Sequence, residues 1–238
     1  MLLYYVRHGD PVYDPDSLTP LGRRQAEAVA KRLAQYGLDE IYVSSSNRAK
    51  ETVQPTCDIL KMRAAELDWA NERYAWADFA VEEQDGKKQW CFFIPRYMEL
   101  FNTEEIIRMG DRWYDSPEFN GTSFKNGILR VQKEADSFFE RLGYKHDRSR
   151  HLYIPEEPND KRIALFAHQG FGILFLSALL DISMPQFATH FDLSHSSVTV
   201  IEFKDTGGIV IPKVLTLSND SHIYKEGLPT KYNNEIYI

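Results

Sequence analysis

The chain opens with an apolar run, Met1 to Val6, which is followed directly by Arg7, His8 and Gly9. A short run rich in aromatic and β-branched residues, without alternating polar positions, is typical of a strand buried on both faces of an α/β sheet. Ligands bind to such sheets at the carboxyl ends of the strands. The opening therefore predicts that a guanidinium and an imidazole lie at the ligand-binding edge, with Gly9 permitting the turn that follows. For an isolated Arg-His pair, a structural ion pair and a core hydrogen bond are the simpler interpretation.

The next segments predict a βαβ unit. Thr19 is placed to cap a helix that continues from Leu21 to Tyr36, with Pro20 at its first position. A second strand is predicted for 38–43, and a crossover of this kind joins parallel strands. The fold class predicted is therefore α/β, with a mostly parallel open sheet and helices on both faces.

Arg48 follows the second strand and lies in the first turn of a helix predicted from Asn47 to Leu60. The serines at 44–46 and Asn47 can cap this helix, and its free N–H groups and positive dipole end favour an anion. Arg48 adds a full positive charge at the same point.

The segment from Leu67 to Tyr153 is irregular and contains all four tryptophans. Weak amphipathic patterns predict helices at 103–109 and 129–142, and 141–150, with His146, is predicted to be a solvated turn. We interpret residues 70–155 as an irregular cap inserted into a single domain that spans 1–238. Its aromatic residues serve either a lid over the substrate or a packed scaffold, and the sequence does not separate the two.

A further buried strand, Ile163 to Ala167, ends at His168, Gln169 and Gly170 and precedes an apolar helix. This repeats the arrangement of the opening segment. The carboxyl ends of parallel strands meet at one edge, so the side chains delivered there are expected to converge.

The four converging residues are two histidines and two arginines: His8, His168, Arg7 and Arg48. Such a set suits a dianion such as phosphate, because the guanidinium presents a fork of donors to its oxygens. A metal site is not expected, since two histidines without nearby carboxylates, flanked by arginines, repel a cation. No cofactor is predicted.

Composition limits the classes of partner and location. The net charge of −7 and the pI of about 5.5 disfavour nucleic acid or an anionic membrane as the main partner. The two cysteines, Cys57 and Cys91, match no metal-ligand spacing, and no signal peptide or membrane span is evident, so a cytoplasmic location is expected. The sequence does not define an oligomeric state.

Four motifs occur in the order typical of one family. The first is Arg7-His8-Gly9 and the last is Ala167-His168-Gln169-Gly170. Between them lie two longer motifs, Leu18-Thr19-Pro20-Leu21-Gly22-Arg23-Arg24-Gln25-Ala26 and Ser44-Ser45-Ser46-Asn47-Arg48-Ala49-Lys50-Glu51-Thr52. In these motifs the chain resembles the histidine phosphatase superfamily, branch 1, which includes the cofactor-dependent phosphoglycerate mutases. The resemblance covers the first third of the chain and the part from Ile163 onward.

The resemblance implies a role for each motif residue. His8 would be the nucleophile that becomes phosphorylated, and Arg7, Arg48 and His168 would bind the transferring phosphoryl group. Gln169 stands where relatives often have glycine, and its backbone N–H remains available to phosphate.

The family also uses a carboxylate after the third strand as general acid, and Glu72 is the candidate here. Three other carboxylates lie near in sequence and remain alternatives: Asp78, Glu82 and Glu83.

Asp14 stands where the family's mutases have asparagine, and a carboxylate there disfavours a phosphate dianion unless the loop turns it away. The opening resembles the branch that acts on small substrates. The acid phosphatase branch carries an arginine where this chain has Pro11.

His222 is predicted to make structural hydrogen bonds. No functional role is predicted for His190 and His195, which flank a junction between a helix and a strand, or for His146 and His151, which lie in the polar middle of the chain. Three aromatic residues are candidates for the substrate mouth, although packing within the cap is the commoner role: Tyr13, Trp69 and Trp76.

Three functions follow from these observations. The first is a metal-independent phosphatase acting on a small phosphomonoester through phospho-His8. The second is a mutase of the same chemistry, which Asp14 disfavours. The third is a catalytically idle phospholigand-binding protein, which the complete His/Arg set disfavours.

Overall fold

The computed structural model describes residues 1–83 and 85–230. Six strands form the central sheet: β1 Leu2–Arg7, β4 Glu40–Ser44, β5 Ala65–Leu67, β10 Arg162–Ala167, β11 Val198–Glu202 and β12 Lys213–Asn219. Three two-stranded sheets lie outside it: β2 Pro11–Val12 with β3 Ser17–Leu18, β6 Ala80–Glu82 with β7 Lys88–Trp90, and β8 Tyr144–Asp147 with β9 Leu152–Pro155. The α-helices are α1 Pro20–Ala34, α2 Asn47–Leu60, α3 Glu72–Phe79, α4 Pro95–Phe101, α5 Glu104–Met109, α6 Phe124–Arg141, α7 Gln169–Leu180, α8 Met184–His190 and α9 Ser221–Lys225.

The strand order of the central sheet is β12-β11-β1-β10-β4-β5. Strands β1, β10, β4 and β5 are parallel, and β11 and β12 form an antiparallel edge. The predicted mostly parallel α/β sheet is confirmed. Arg7 is paired with Ala167 in the β1–β10 register, so His8 and His168 are the next residues on two adjacent strands.

Helices cover both faces of this sheet, as predicted. On one face, α1 and α2 pack on alternate residues of the strands, such as Val6 and Phe166. On the other face, α6 and α7 pack on the intervening residues, such as Tyr5 and Leu165. Burial on both faces explains why these strands have near-continuous apolar sequences.

The start of α1 follows its capping signals. The Thr19 hydroxyl accepts a hydrogen bond from the Gly22 N–H at 3.0 Å, with Pro20 at the first helical position. A side chain on Gly22 would overlap the Asp10 backbone, and one on Gly9 would overlap Gly22. Gly9 is therefore required by this close approach of the two backbones.

The segment between β5 and β10 is more regular than its sequence indicated. The two predicted helices are present as α5 and α6, and α3 and α4 occur in addition. Trp113 is buried here among Phe101, Phe119 and Phe124. Much of the aromatic content therefore forms a packed scaffold.

The prediction of a solvated turn at 141–150 is wrong. His146 lies on β8 with a fully buried side chain, and its two ring nitrogens each lie 2.9 Å from a carboxylate, of Asp136 and Asp181. The ring also stacks on Tyr153, with centroids 4.0 Å apart. The short polar sequence conceals this because the partners come from α6 and from the end of α7. Within the described residues, no helix is both long and apolar enough to cross a membrane.

Candidate active site

His8 lies directly after β1 with its side chain buried. Its Nδ1 lies 2.7 Å from the carbonyl oxygen of Gly9, and donation to that acceptor leaves the lone pair on Nε2. Burial lowers the pKa of His8 well below its ordinary value, and the neighbouring ring and guanidiniums lower it further. His8 is therefore a neutral imidazole at neutral pH, with an unprotonated nitrogen directed away from Gly9.

His168 follows β10, and its ring centroid lies 5.2 Å from that of His8, with the planes inclined by 62°. Its Nε2 contacts the hydroxyls of Ser44 and Ser46 at 2.8 and 3.2 Å. Burial is the main cause that lowers the pKa of His168 to about 4. The predicted convergence of the two histidines is present.

Arg7 and Arg48 complete the cationic set. The Arg7 guanidinium is buried, and its Nη1 donates to the carbonyl of Leu193. Arg48, in the first turn of α2, donates through Nη1 to Asp16 and through Nη2 to Glu72, both at 2.8 Å. Burial alone would lower the pKa of Arg48, but the two carboxylates outweigh it and the pKa is raised.

Three buried nitrogens of the site have no hydrogen-bond partner among the described residues: Nε of Arg7, Nε of Arg48 and Nδ1 of His168. Buried polar groups are rarely left in this state, and a ligand that accepts hydrogen bonds would satisfy them. The donors therefore suit an anion with several oxygens.

Glu72 is the first residue of α3, which Asn71 caps through a hydrogen bond from the Arg73 N–H at 3.0 Å. Its Oε1 accepts from the Gly170 N–H at 2.8 Å, and its Oε2 lies 3.7 Å from Nδ1 of His168. Burial by itself raises the pKa of Glu72. The interactions with the neighbouring histidine and arginine and the backbone hydrogen bond outweigh this effect, and the pKa lies below its ordinary value.

The other candidate carboxylates lie elsewhere. Asp78 pairs with Arg130 at 2.8 Å. Glu82 and Glu83 line a different cavity, together with Arg96. Of the four candidates, the structure brings only Glu72 to the histidines.

Asp14 is exposed, and the carboxylate of this loop that enters the site is Asp16, through its contact with Arg48. The sequence analysis did not single out Asp16. The Tyr13 ring lies beside the same guanidinium, 5.5 Å from ring centroid to Cζ.

His195 was predicted to be unremarkable, and the structure corrects this. Its ring centroid lies 5.7 Å from that of His8, and its Nε2 lies 2.8 Å from Nη2 of Arg7. Its Nδ1 faces Asp10 at 3.6 Å. A signal was available, because a strand antiparallel to β1 must begin at the edge where β1 ends, and His195 precedes that strand.

Gln169 begins α7, and its side-chain amide donates to Asp192. The side chain is thus directed to a neighbouring loop. The phosphate-binding role predicted for its backbone N–H stays a prediction.

The expectation that no carboxylate lies near the two histidines is wrong. Ligand atoms of His8, Glu72 and His168 lie within 4.8 Å of one another, a spacing that could hold a metal ion. The guanidinium of Arg48 already occupies one carboxylate oxygen of this set, and a second guanidinium lies beside it. These charges disfavour a cation.

A cavity of about 480 Å³ opens beside Arg48 and Glu72. It is lined by seven residues: Tyr13, Arg48, Asn71, Glu72, Arg73, Trp76 and Trp90. Two of the three aromatic residues predicted for the mouth are thus present, and Trp90 is an addition. Trp69 instead packs against Phe171 and Phe175.

Comparison with known proteins agrees with this geometry. The family model of the histidine phosphatase superfamily (branch 1) matches residues 3–88, which include Arg7, His8, Arg48 and Glu72. No curated protein sequence matches the chain significantly. The fold and the site define an α/β protein with a buried anion pocket of two histidines and two arginines. Over residues 3–88 the chain is similar to the histidine phosphatase superfamily, the family whose motifs it resembles.

Solved structures share the whole fold. A phosphoserine phosphatase variant from Entamoeba histolytica, in complex with phosphoserine, is 18% identical with a TM-score of 0.59, over 93% of this chain and 98% of that one. A mycobacterial glucosyl-3-phosphoglycerate phosphatase, in complex with inorganic phosphate, is 16% identical with a TM-score of 0.59, over 93% and 98%. The α-ribazole phosphatase of Shigella flexneri is 18% identical with a TM-score of 0.57, over 92% and 97%.

Proposed function

We propose that this chain is a phosphatase that hydrolyses a small phosphomonoester through a phosphohistidine on His8, without a metal ion. The observation that carries the proposal is the pocket in which the rings of His8 and His168 lie 5.2 Å apart beside Arg7 and Arg48. Phosphoryl transfer requires mainly positioning and positive charge around the equatorial oxygens, and these side chains supply both.

In the first step, the lone pair on Nε2 of His8 attacks phosphorus and the bond to the ester oxygen breaks. Arg7, Arg48 and His168 bind the equatorial oxygens, with the N–H of Gln169 as a further donor. Glu72 gives its proton to the departing oxygen, so the alcohol leaves neutral.

Glu72 must be protonated for that step, although its pKa is low in the free pocket. A bound phosphate dianion brings negative charge to the carboxylate and competes for the guanidinium of Arg48. Both effects raise the pKa of Glu72.

In the second step, the Glu72 carboxylate takes a proton from water as the water oxygen attacks phosphorus. The P–N bond breaks, and its electron pair returns to Nε2 of His8. Splitting hydrolysis in this way is ordinary covalent catalysis.

The two alternatives are affected differently by the structure. The sequence argument against a mutase rested on Asp14, which is exposed. The same argument against a mutase applies instead to Asp16, whose carboxylate pairs with Arg48 and adds negative charge at the pocket. The placement of Glu72 supports a catalytic role over an idle binding protein.

The test is hydrolysis of p-nitrophenyl phosphate in EDTA, with wild type and His8→Ala, and with orthovanadate as inhibitor. We expect metal-independent turnover in the wild type, an acid-labile phosphoenzyme, and loss of both in His8→Ala. Turnover that requires an added divalent ion, or that survives in His8→Ala, would overturn the proposal. Isomerisation of phosphoglycerate that depends on bisphosphoglycerate would favour the mutase.

The cap and the location belong to the same proposal. We assign residues 70–155 to a cap within one domain, supported by the position of Trp76 and Trp90 at the cavity. The cytoplasmic assignment is supported by the free, buried thiols of Cys57 and Cys91.

A panel of phosphoserine, phosphoglycerates, sugar phosphates and nucleotides would define the substrate. The similar solved structures are named as a phosphoserine phosphatase, a glucosyl-3-phosphoglycerate phosphatase and an α-ribazole phosphatase.

A further inference from the structure

The cavity beside Glu72 holds the leaving group of the substrate, if the proposed function is correct. The general acid must reach the ester oxygen, so the rest of the alcohol extends from Glu72 into the space that Tyr13, Trp76 and Trp90 line. The residues of this cavity therefore select the alcohol.

Trp76 lies one helical turn after Glu72 on α3, on the same side of the helix. Trp76 is 38% exposed and lines the cavity, so it offers an apolar surface to a ligand. Trp90, at the end of β7, meets it edge to face, with centroids 5.0 Å apart and an angle of 85°. The two indoles thus form a corner with one wall at right angles to the other.

Trp90 packs against Phe92 and against the backbone at Gly170. It stacks on the buried Phe92, with centroids 5.2 Å apart and planes inclined by 19°. Its indole also lies so close to Gly170 that a methyl group there would overlap the ring. This wall is therefore rigid and is set directly against the backbone that holds Glu72.

The two arginines that line the cavity already form ion pairs with carboxylates. Arg73 pairs with Asp68 at 3.1 Å, and Arg48 pairs with Asp16 and Glu72. A charged leaving group of either sign would have to compete with these ion pairs for a partner, whereas an uncharged ring leaves them in place.

From this geometry we propose that the enzyme selects phosphate monoesters whose alcohol carries a flat, uncharged ring close to the ester oxygen. The ring packs in the corner of Trp76 and Trp90, in the cavity that Tyr13 also lines. Aromatic contacts of this kind have preferred offset or edge-to-face geometry, which a saturated ring or a charged chain cannot reproduce.

The test compares four monoesters of unactivated alcohols: benzyl phosphate, cyclohexylmethyl phosphate, 3-phosphoglycerate and phosphocholine. We expect kcat/KM for benzyl phosphate to exceed that of each other substrate by about 10-fold, the ratio expected from one or two aromatic contacts. In Trp76→Leu the preference over cyclohexylmethyl phosphate should fall to about 2-fold or less. The inhibition constant of inorganic phosphate should stay unchanged, because the phosphate pocket is intact.

Tyr224→Leu is the matched control, since this aromatic side chain is 88% exposed on α9. It should keep the full preference. Trp76→Phe, which retains an aromatic face, should keep part of it and serves if the leucine variant does not fold.

Equal rates for benzyl and cyclohexylmethyl phosphate in the wild type would overturn the inference, as would a preference for phosphoglycerate or phosphocholine. A preference that survives in Trp76→Leu would do the same. These outcomes leave the proposed function intact, whereas a protein that hydrolyses neither these esters nor p-nitrophenyl phosphate would refute the proposed function itself.

Discussion

The Gly170 N–H donates to Oε1 of Glu72 at 2.8 Å, across 98 positions of sequence. This hydrogen bond ties the first turn of α7, directly after His168, to the first residue of α3. The backbone N–H thereby holds Oε1 of Glu72 in the histidine pocket, and Arg48 binds the other oxygen, Oε2.

Glu72→Gln tests the general acid. The amide keeps the shape and can accept from Gly170, but it has no proton to give, so kcat/KM for an alkyl phosphate, which reports the phosphorylation step, should fall about 10²–10⁴-fold. The loss of kcat/KM should be much smaller for p-nitrophenyl phosphate, whose leaving group departs without protonation.

Glu82→Gln is the matched control, because Glu82 is an exposed carboxylate on β6. It should leave both rates unchanged. An equal loss for the two substrates in Glu72→Gln would show that Glu72 acts only by holding the pocket together.

His195→Ala tests whether His195 positions Arg7. The Arg7 guanidinium would lose one of its acceptors, and kcat/KM should fall about 10-fold, the value of one hydrogen bond to a charged group. Affinity for vanadate should fall in parallel.

His195→Asn should restore most of the activity, since its amide oxygen can accept from Arg7. His190→Ala, at the exposed end of α8, is the control. Full activity in His195→Ala would assign His195 to packing alone.

The protonation state of His8 is open to direct measurement. Because burial lowers its pKa well below the ordinary value of 6.5, we expect the ring to stay neutral as the pH falls from 7 to 5.5. Nitrogen-15 NMR should show a protonated Nδ1 and a bare Nε2 over this range, in resonances that vanish in His8→Ala. A ring that titrates near pH 6.5 would contradict the buried neutral nucleophile.

The raised pKa of His146 predicts that the free energy of unfolding depends on pH. Burial alone lowers its pKa, but the hydrogen bonds to Asp136 and Asp181 outweigh burial and the pKa is raised. A raised pKa contributes stability that is complete below the unfolded value of about 6.5 and is lost as the pH rises through the folded value.

The measurement is urea unfolding of wild type and His146→Gln from pH 5.5 to pH 8.5. At low pH the variant should be less stable by about 2 kcal/mol, because it loses a hydrogen bond to a carboxylate while Arg148 still pairs with both Asp136 and Asp181. The difference should shrink as the pH rises, and parallel curves over the range would show that His146 does not titrate in the fold. His190→Gln should behave as the wild type.

Local sequence patterns were sufficient for the regular part of the fold. The apolar runs before His8 and His168, the Thr19 cap and the serines before Arg48 each report burial or capping within a few residues. These signals place the side chains at strand ends, and parallel pairing then brings them to one edge.

The segment between β5 and β10 was harder to predict from the sequence, because its secondary structure depends on contacts between residues far apart in the chain. The short polar strand β8 buries His146 between Asp136 and Asp181, which lie on other elements. No local periodicity reports such partners, so this segment was predicted to be a turn.

The sequence by itself determined the α/β class, the convergence of His8, His168, Arg7 and Arg48, and Glu72 as one of four candidate acids. Only the tertiary structure decided that Glu72 reaches the pocket, that Asp16 rather than Asp14 meets Arg48, and that His195 contacts Arg7. The physical reason is that strand ends are fixed by local burial, whereas the direction of a loop side chain depends on which distant donor it meets.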